Sequence, residues 1–447
     1  MKLAIKGGPM VKGTPFPKQV TVGDEEREAV DSLLDSGKPL SSFRGNWQPE
    51  FWGGEQVQAF EREWERTFVS YSALAVNSCT SALQIACGAA GIQPGDEVIV
   101  TPWSMTCSAT APLVWGGIPV FADMEPTNFC LDPDDVERKL TVRTKAIIAV
   151  SLFGQPFDPR LRDIAKKYDL ILIEDAAQAP GARCDGEHTG NLGDMGCFSF
   201  TAGKHLTCGE GGILTARTEN LKYRGALIRN HAESVIHAMS CGGVQDAALG
   251  TVFSETPNMV GYNMRMTELN AAIMREQLKK LPAYIEMRQV NAWKIYEGIK
   301  DIPCIINPGI RENCSHVYYV QPFLYDQDAT DGIHRDAFVD AVQAELAGET
   351  WRADRPMMGK GYIKPLYMMP LFQGCFHFAF DQHHIAMKNN PSRTYREGSC
   401  PTCEDLWRDK FFLSMYHNLP LTDDDIKAII DAYHKVWENR KELTGEQ

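Results

Sequence analysis

The sequence of 447 residues predicts an α/β protein with a mostly parallel central sheet flanked by helices. Short runs of Val, Ile, Leu and Ala recur through its first half, and amphipathic stretches separate several of them. Apolar residues at consecutive positions indicate strands that are buried on both faces, as in parallel sheets. Hydrophobic residues make up 44% and charged residues 23% of the chain, which is typical of a globular protein with a large core.

These runs and their boundary signals predict the individual elements. Asp132-Pro133 combines a helix N-cap with a first-turn proline, so a helix should follow it directly. Strands are expected at Ala73–Val76, Glu97–Thr101, Pro119–Asp123, Lys145–Val150, Leu170–Glu174, Gly196–Phe200 and Gly212–Ala216. Helices are expected at Ser81–Ala90, Asp134–Leu140 and Pro159–Tyr168.

The pattern changes towards the C-terminus. One helix should open at Thr267 and end near Pro282, because proline interrupts a helix, and a second helical stretch should cover Ala283–Ile299. Later elements are isolated strands and amphipathic helices, expected at Val317–Leu324, Arg335–Glu345 and Asp424–Arg440. The chain is therefore divided into an N-terminal arm (residues 1–20), a large α/β domain (21–290) and a small α+β domain (291–447) with an insertion at about 374–403.

Charge and composition exclude several classes of partner. The net charge is −13 and the basic residues are scattered, which disfavours nucleic acid and anionic membranes. No apolar run approaches the roughly 18 residues of a membrane span. Thirteen cysteines are spread without a tight framework, so we expect reduced thiols in a cytoplasmic protein. The expected ligand is a small molecule.

The first candidate motif is the acidic pair Glu174-Asp175. It ends the apolar run that begins at Leu170, and ligands bind at the carboxyl ends of strands in open α/β sheets. An aspartate after a strand also often caps the following helix, so the motif alone leaves both interpretations open.

The second motif contains Lys204. This lysine follows a buried strand and lies in the small-residue segment TAGKHLTCGEGG at 201–212, where a desolvated amine can act as a nucleophile. A nucleotide-binding P-loop is excluded, because Phe198 occupies the first glycine position and His205 replaces the required Ser or Thr.

The third motif is NSCTSAL at 77–83, where a strand ends in hydroxyl residues and a helix begins at once. Helix N-terminal N–H groups and the hydroxyls of Thr80 and Ser81 suit a phosphate monoester, although the same residues also make an ordinary helix cap.

Together the three motifs supply a phosphate site, a carboxylate for a pyridinium proton and a nucleophilic lysine, as pyridoxal phosphate chemistry requires. On these residues the chain resembles the DegT/DnrJ/EryC1/StrS family of sugar aminotransferases, within fold type I of the pyridoxal-phosphate-dependent transferases. The resemblance runs from about residue 5 to the C-terminus and includes GIQPGDEVIV at 91–100, GIPVFAD at 117–123, RTKAII at 143–148 and GYNMRM at 261–266.

The resemblance implies a role for each matching residue. Lys204 corresponds to the Schiff-base lysine and proton-transfer base, and Asp175 to the partner of the pyridine nitrogen. Gln178 is similar to the residue near the cofactor's phenolic oxygen. The phosphate-binding positions are matched by Thr80, Ser81 and Ser199, and by Asn263, which would reach the phosphate of the neighbouring subunit in a homodimer with shared active sites. No metal is expected.

The family's activity is transfer of an amino group from glutamate or glutamine to a nucleotide-linked keto sugar or a keto cyclitol, in antibiotic or surface-polysaccharide biosynthesis. Alternatives are a sugar dehydratase or epimerase of the same family, or a cofactor-binding regulator. In the dehydratases, histidine replaces the lysine, whereas this chain has Lys204 with His205 beside it. Arg265 is a weaker candidate for binding the donor's carboxylate.

Three positions depart from the family pattern. Cys79 replaces the glycine of Ser-Gly-Thr, and Met105 aligns with the aromatic residue that stacks on the cofactor, with Trp103 nearby. Lys364 replaces a histidine that precedes a proline in the small domain, where the acceptor is recognised. Cys400 and Cys403 also contain the ingredients of a zinc site together with the upstream residues Cys375, His377, His383 and His384, but half of the usual spacing is missing.

Overall fold

A computed structural model describes residues 2–43, 49–232, 260–330, 332–347, 350–352, 355–373 and 395–444. The strands are β1 (Ser72–Val76), β2 (Glu97–Val100), β3 (Ile118–Phe121), β4 (Thr144–Val150), β5 (Ile171–Asp175), β6 (Arg183–Cys184), β7 (Glu187–His188), β8 (Met195–Ser199), β9 (Gly212–Ala216), β10 (Ile305–Ile306), β11 (Gln321–Tyr325), β12 (Thr350–Arg352), β13 (Arg355–Pro356), β14 (Met358–Lys360) and β15 (Phe411–Ser414).

The α-helices are α1 (Asp24–Asp35), α2 (Glu55–Phe68), α3 (Cys79–Ala89), α4 (Cys107–Thr110), α5 (Pro133–Lys139), α6 (Arg160–Lys167), α7 (Glu219–Arg229), α8 (Glu268–Ile299), α9 (Arg335–Ala344), α10 (Pro401–Asp405) and α11 (Asp423–Glu438). None of the described helices is long and apolar enough to cross a membrane.

The seven main strands form one sheet in the order β1-β9-β8-β5-β4-β2-β3. The strands β8, β5, β4, β2 and β3 are parallel, and β9 is antiparallel to both of its neighbours, β1 and β8. Residues of β1, β2, β3, β8 and β9 are buried throughout, as consecutive apolar residues predict. The predicted mostly parallel sheet is confirmed, and each predicted strand of this sheet is present within one or two residues of its expected bounds.

The helix starts follow the capping signals in the sequence. Asp132 accepts the N–H of Asp134 at 2.9 Å and caps α5, which begins with Pro133. Thr422 and Asp425 cap α11 reciprocally, at 3.0 and 3.2 Å. The acidic run that follows Thr422 is therefore the charged first turn of a helix.

One helix boundary was wrong. α8 is 32 residues long and continues through Pro282 instead of ending there. Its first half packs into one apolar cluster through Met274 and Leu281, and its second half packs into another through Ile295 and Ile299. Burial at both ends offsets the roughly 3 kcal/mol that proline costs inside a helix. The division of the chain at residue 290 stays a prediction, because α8 crosses that position without a break.

The C-terminal part contains a four-stranded antiparallel sheet in the order β10-β11-β15-β14. The strand predicted at Val317–Leu324 is shifted, because β11 begins only at Gln321. Val317 and Tyr319 donate their N–H groups to Gly154 and Phe153 instead, at 2.9 and 2.8 Å. These bonds hold residues 317–320 against the loop after β4 in the main sheet.

The insertion predicted at 374–403 is only partly described, since residues 374–394 lie outside the described ranges. Its last residues pack on the edge of the main sheet. The Tyr395 hydroxyl donates to the carbonyl of Pro119 at 2.5 Å, and the N–H groups of Thr402 and Cys403 donate to the carboxylate of Asp123.

Candidate active site

The floor of the site is the junction between β1 and α3. Ser78 accepts the N–H of Ser81 on its Oγ at 3.1 Å, and the Ser81 hydroxyl donates to Asn77 Oδ1 at 2.6 Å. The first residue of β9, Gly212, passes directly beneath: a Cβ atom there would lie 2.6 Å from the carbonyl carbon of Ser78. The first turn of α3, whose N–H groups lack intrahelical partners, is therefore held rigidly in place.

The acidic pair at the end of β5 is split between two environments. Asp175 accepts hydrogen bonds from the Ser108 hydroxyl at 2.7 Å and from the Ala177 N–H at 3.2 Å. Burial raises the pKa of Asp175, whereas these bonds and the charge of Lys204 act in the opposite direction. No helix begins after Asp175, because turns lead on to β6, so it is not a helix cap.

Glu174 is buried away from the site. Its carboxylate accepts the Ser151 hydroxyl at 2.9 Å and the Gly190 N–H at 2.5 Å. Burial raises the pKa of Glu174 to about 7. Of the two carboxylates predicted at this strand end, Asp175 alone lines the cavity described below.

Lys204 lies in the loop between β8 and β9. Gly203, with φ of 88°, forms part of the tight turn in which the Lys204 N–H donates to Thr201 at 3.2 Å. The Lys204 ammonium lies 4.4 Å from the centroid of the Tyr319 ring, a cation–π contact. Within the described chain, it forms no ion pair with a carboxylate.

Gln178 is fixed between two elements. Its Oε1 accepts the N–H of Phe153 at 2.7 Å, and its Nε2 donates to the Tyr362 hydroxyl at 3.2 Å. The phenol of Tyr362 and the loop after β4 therefore orient an amide that was predicted to contact the cofactor.

These residues line one cavity of about 420 Å³, which we call the first cavity. Its volume lies within the range of small-molecule and cofactor sites. The lining residues include Ser78, Cys79, Thr80, Ser104, Met105, Cys107, Asp175, Gln178, Ser199, Lys204, Glu210, Tyr319 and Tyr362. Five residues predicted from separate segments, namely Thr80, Asp175, Gln178, Ser199 and Lys204, are thus brought together.

Other predicted residues do not line the first cavity. Ser81 lies in the first turn of α3 beneath it, and Asn263 is exposed, paired through its backbone with Asn230. Arg265 donates to Asn230 Oδ1 at 2.9 Å and lies over the Phe43 ring. Lys364 is exposed outside the lining. A contribution from Asn263 to the neighbouring subunit stays a proposal.

The two residues predicted near a cofactor ring, Met105 and Trp103, lie in different environments. Met105 is 56% exposed and lines the first cavity. Trp103 is fully buried, donates its indole N–H to the carbonyl of Ile363 at 2.6 Å and is not part of the lining. Trp103 therefore anchors the loop that carries Met105.

His205 faces away from the first cavity. It is fully buried, and its Nε2 contacts the carbonyl of Val317 at 2.8 Å. Burial lowers the pKa of His205 well below its ordinary value, so this imidazole stays neutral inside the protein.

Three residues at the site were not assigned from the sequence. Ser108 bonds to Asp175, Tyr319 covers Lys204, and Tyr362 orients Gln178. The hydroxyl residues at positions 104–108 after β2 were a usable signal, because they follow the carboxyl end of a parallel strand. Tyr319 and Tyr362 carried no such signal, since distant segments bring them to the sheet.

The zinc-site alternative can be examined only in part. Cys375 and the three upstream histidines lie outside the described residues, whereas Cys400 and Cys403 are buried free thiols at the start of α10. Among the described residues, no group of three or more metal-ligating side chains occurs.

Comparison with known proteins identifies the family. The family model described as the DegT/DnrJ/EryC1/StrS aminotransferase family matches residues 43–434. The chain belongs to this family. It is an aminotransferase, and the fold type I architecture expected from the resemblance is confirmed.

Relatives within the family are similar along their whole length. The spore coat polysaccharide biosynthesis protein SpsC of Bacillus subtilis (strain 168) is 29% identical, with 93% of this chain and 95% of SpsC covered. The L-glutamine:2-deoxy-scyllo-inosose aminotransferase of Streptomyces kanamyceticus is 30% identical, with 99% of each protein covered. The X-ray structure of an aminotransferase from Psychrobacter cryohalolentis has a TM-score of 0.74 at 25% identity, covering 96% of this chain and 99% of that one.

Proposed function

We propose that this aminotransferase uses pyridoxal 5′-phosphate to move an amino group from glutamine or glutamate to a ketone of a cyclitol or of a nucleotide-linked sugar. The observation that carries the proposal is that Lys204 and Asp175, 29 residues apart in sequence, line one cavity together with the first turn of α3. The full-length similarity to an L-glutamine:2-deoxy-scyllo-inosose aminotransferase supports a cyclitol ketone as acceptor.

The residues of the first cavity fit the cofactor. Its floor offers the N-terminus of α3 and the hydroxyls of Ser78 and Thr80 to a phosphate. Asp175 offers a buried carboxylate whose described protein partners are a hydroxyl and an N–H group, which leaves it able to accept a hydrogen bond from a pyridinium N–H. When bound, pyridoxal phosphate supplies an aldehyde that accepts the amino group and a ring that takes up electron density.

Each residue then has a task in the transfer. Lys204, under the Tyr319 ring, would hold the cofactor through its amine and would serve as the base that moves a proton during the transfer. Asp175 would pair with the ring nitrogen, and the hydrogen bonds from Ser108 and Ala177 favour its ionised form against the effect of burial. Gln178, held by Phe153 and Tyr362, would orient the cofactor ring through its amide.

The structure favours this reaction over the dehydratase alternative. A dehydratase of this family uses histidine at the lysine position. Here Lys204 lines the first cavity, and His205 is buried against Val317. A neutral imidazole turned away from the cavity is not placed to exchange protons with a ligand.

The test is the absorbance spectrum of protein reconstituted with pyridoxal phosphate. We expect a visible band that is lost in Lys204→Ala and kept in Lys222→Ala, a control on α7 outside the first cavity. Addition of L-glutamine or L-glutamate should remove the band and release the 2-oxo acid. 2-Deoxy-scyllo-inosose or a nucleotide-linked keto sugar should then restore it. A band that ignores both donors would indicate the elimination or regulator alternative.

We also propose a cytoplasmic homodimer in which Asn263 completes the site of the neighbouring subunit. Its exposure fits this role, and the eleven cysteines of the described residues are all free thiols, as expected in a reducing compartment. Mixing Lys204→Ala with Asn263→Ala subunits tests the arrangement. A shared site leaves one intact active site in each mixed dimer, so activity should recover above that of either variant alone.

A further inference from the structure

A second cavity, of about 390 Å³, adjoins the first. Lys204 lines both of them, so this residue lies at the boundary between the two spaces. The second cavity is lined by Pro17, Lys18, Gln19, Thr21, Gly203, Lys204, Thr207, Arg288, Met357, Asn418 and Leu419. No function has been given above to the residues that it brings together from the N-terminal arm, α8 and the C-terminal part.

Arg288 is the principal group of the second cavity. It is 2% exposed, and one guanidinium nitrogen donates to the carbonyl of Tyr318 at 3.3 Å. Its Nε atom is buried without a hydrogen-bond partner, and no carboxylate among the described residues pairs with it. Burial lowers the pKa of Arg288 to about 10, so the guanidinium still carries its charge at neutral pH. Buried charges are usually paired, so an arginine without a carboxylate beside it suits an anionic ligand.

Two further polar atoms of the same cavity lack partners. They are Gln19 Nε2 and Asn418 Oδ1, both buried. Buried polar groups are nearly always hydrogen-bonded, because leaving one unpaired costs about 1–3 kcal/mol. Each of these atoms is enclosed by protein, so a ligand in the second cavity would contact them only after the surrounding side chains shift.

The charge of the lining identifies the class of ligand. Lys18, Lys204 and Arg288 are cationic, and the lining contains no aspartate or glutamate. Arginine presents a planar pair of donors that matches a carboxylate. The amides of Gln19 and Asn418 offer a donor and an acceptor, which complement a carboxamide.

We propose that the second cavity binds the carboxylate of the amino-acid donor, with Arg288 as its ion-pair partner. This inference rests on the proposed function, and it assigns donor recognition to α8 instead of to Arg265, whose guanidinium donates to Asn230. Because Lys204 lines both cavities, a donor held by Arg288 has its amino group beside the lysine that it must displace.

The first test measures binding to protein without cofactor. Calorimetry with 2-oxoglutarate, an unreactive dicarboxylate, should show binding that Arg288→Met weakens at least about tenfold and Arg288→Lys weakens less. Arg335→Met is the matched control, since Arg335 is also buried and donates to backbone carbonyls, but outside this cavity. If Arg288→Met fails to fold, Gln19→Leu in the N-terminal arm is a second change to the same cavity. It should also weaken the binding of 2-oxoglutarate.

The second test uses the reconstituted enzyme. Arg288→Lys should raise KM for L-glutamine about tenfold or more while kcat changes less than threefold and the visible band stays intact. An intact band with unchanged KM would overturn the donor subsite without affecting the proposed function, whereas loss of the band would point to the cofactor site. Inorganic phosphate binding more tightly than 2-oxoglutarate would show that the cavity takes a phosphate, and this would also overturn the proposal.

Discussion

The two cavities that meet at Lys204 differ in how far their buried polar groups are hydrogen-bonded to other protein groups. In the first cavity, Asp175 and Gln178 are already paired with protein groups before any ligand binds. In the second, Arg288, Gln19 and Asn418 keep atoms unpaired.

The difference separates two kinds of ligand. A permanently bound cofactor benefits from a floor whose geometry is set in advance, because preorganised groups need no rearrangement during the reaction. A substrate that enters and leaves in each cycle can itself complete the hydrogen bonds of its subsite. Changes to the floor should therefore affect cofactor chemistry and stability, and changes to the second cavity should affect the donor alone.

The largest effect is expected at Asp175. Asp175→Asn keeps the shape of the side chain but removes its charge, so the transamination rate should fall about 10²–10³-fold. The Ser108 hydroxyl can still bond to the amide, and thermal unfolding should change little. Single-turnover kinetics with L-glutamine measure the rate. Ser108→Ala is the control, and its transamination rate should fall less than that of Asp175→Asn. Equal rates for Asp175→Asn and wild type would show that the charge of Asp175 takes no part in the reaction.

The neighbouring carboxylate should affect stability instead. The pKa of Glu174 is raised by burial from 4.5 to about 7, so the folded protein binds this proton more tightly than the unfolded chain. The contribution of Glu174 to the free energy of unfolding therefore falls as pH rises through this interval, by roughly 2–4 kcal/mol.

Glu174→Gln removes that titration. Urea denaturation between pH 4.5 and 8 should show the variant gaining stability relative to wild type as pH rises. Parallel pH profiles for the two proteins would contradict the assignment. The cofactor band should persist in the variant, because Glu174 is directed towards Ser151 and Gly190, not into the first cavity.

A smaller effect is expected where β9 passes beneath α3. Gly212→Ala places a Cβ 2.6 Å from Ser78 and 2.7 Å from Cys79 N, so the start of α3 must shift. We expect a loss of about 1–3 kcal/mol in unfolding free energy and weaker cofactor binding, measured by urea denaturation and cofactor titration. Gly13→Ala is the control, since nothing lies within 4 Å of its Cβ, and it should leave both quantities unchanged.

The smallest effect on stability is expected in the second cavity. Gln19→Leu removes an unpaired donor, so its unfolding free energy should stay the same or rise by up to about 1 kcal/mol. Gln289→Leu is the contrast, because Gln289 Nε2 donates to the carbonyl of His316 at 2.9 Å and its loss should destabilise the protein. A larger loss of stability in Gln19→Leu than in Gln289→Leu would show that Gln19 Nε2 is hydrogen-bonded within the protein, as the polar groups of the first cavity are.

The sequence by itself determined the sheet and the core of the candidate site. Consecutive apolar residues indicate strands whatever their distant partners are, and the carboxyl ends of neighbouring parallel strands meet at one edge. Asp175 ends such a strand and Lys204 follows another, so both could be assigned in advance, and the family resemblance added Gln178 and the phosphate-binding residues.

Tertiary structure alone decided the rest. Pro282 stays within α8 because burial on both sides of it outweighs a local preference. Tyr319 covers Lys204 because its backbone bonds to the loop after β4 instead of extending β11. In the sequence, Arg288 looks like any helical arginine. Only the fold places it in a cavity whose lining contains no aspartate or glutamate. In each case the deciding interaction joins residues far apart in sequence, and local pattern carries no information about such contacts.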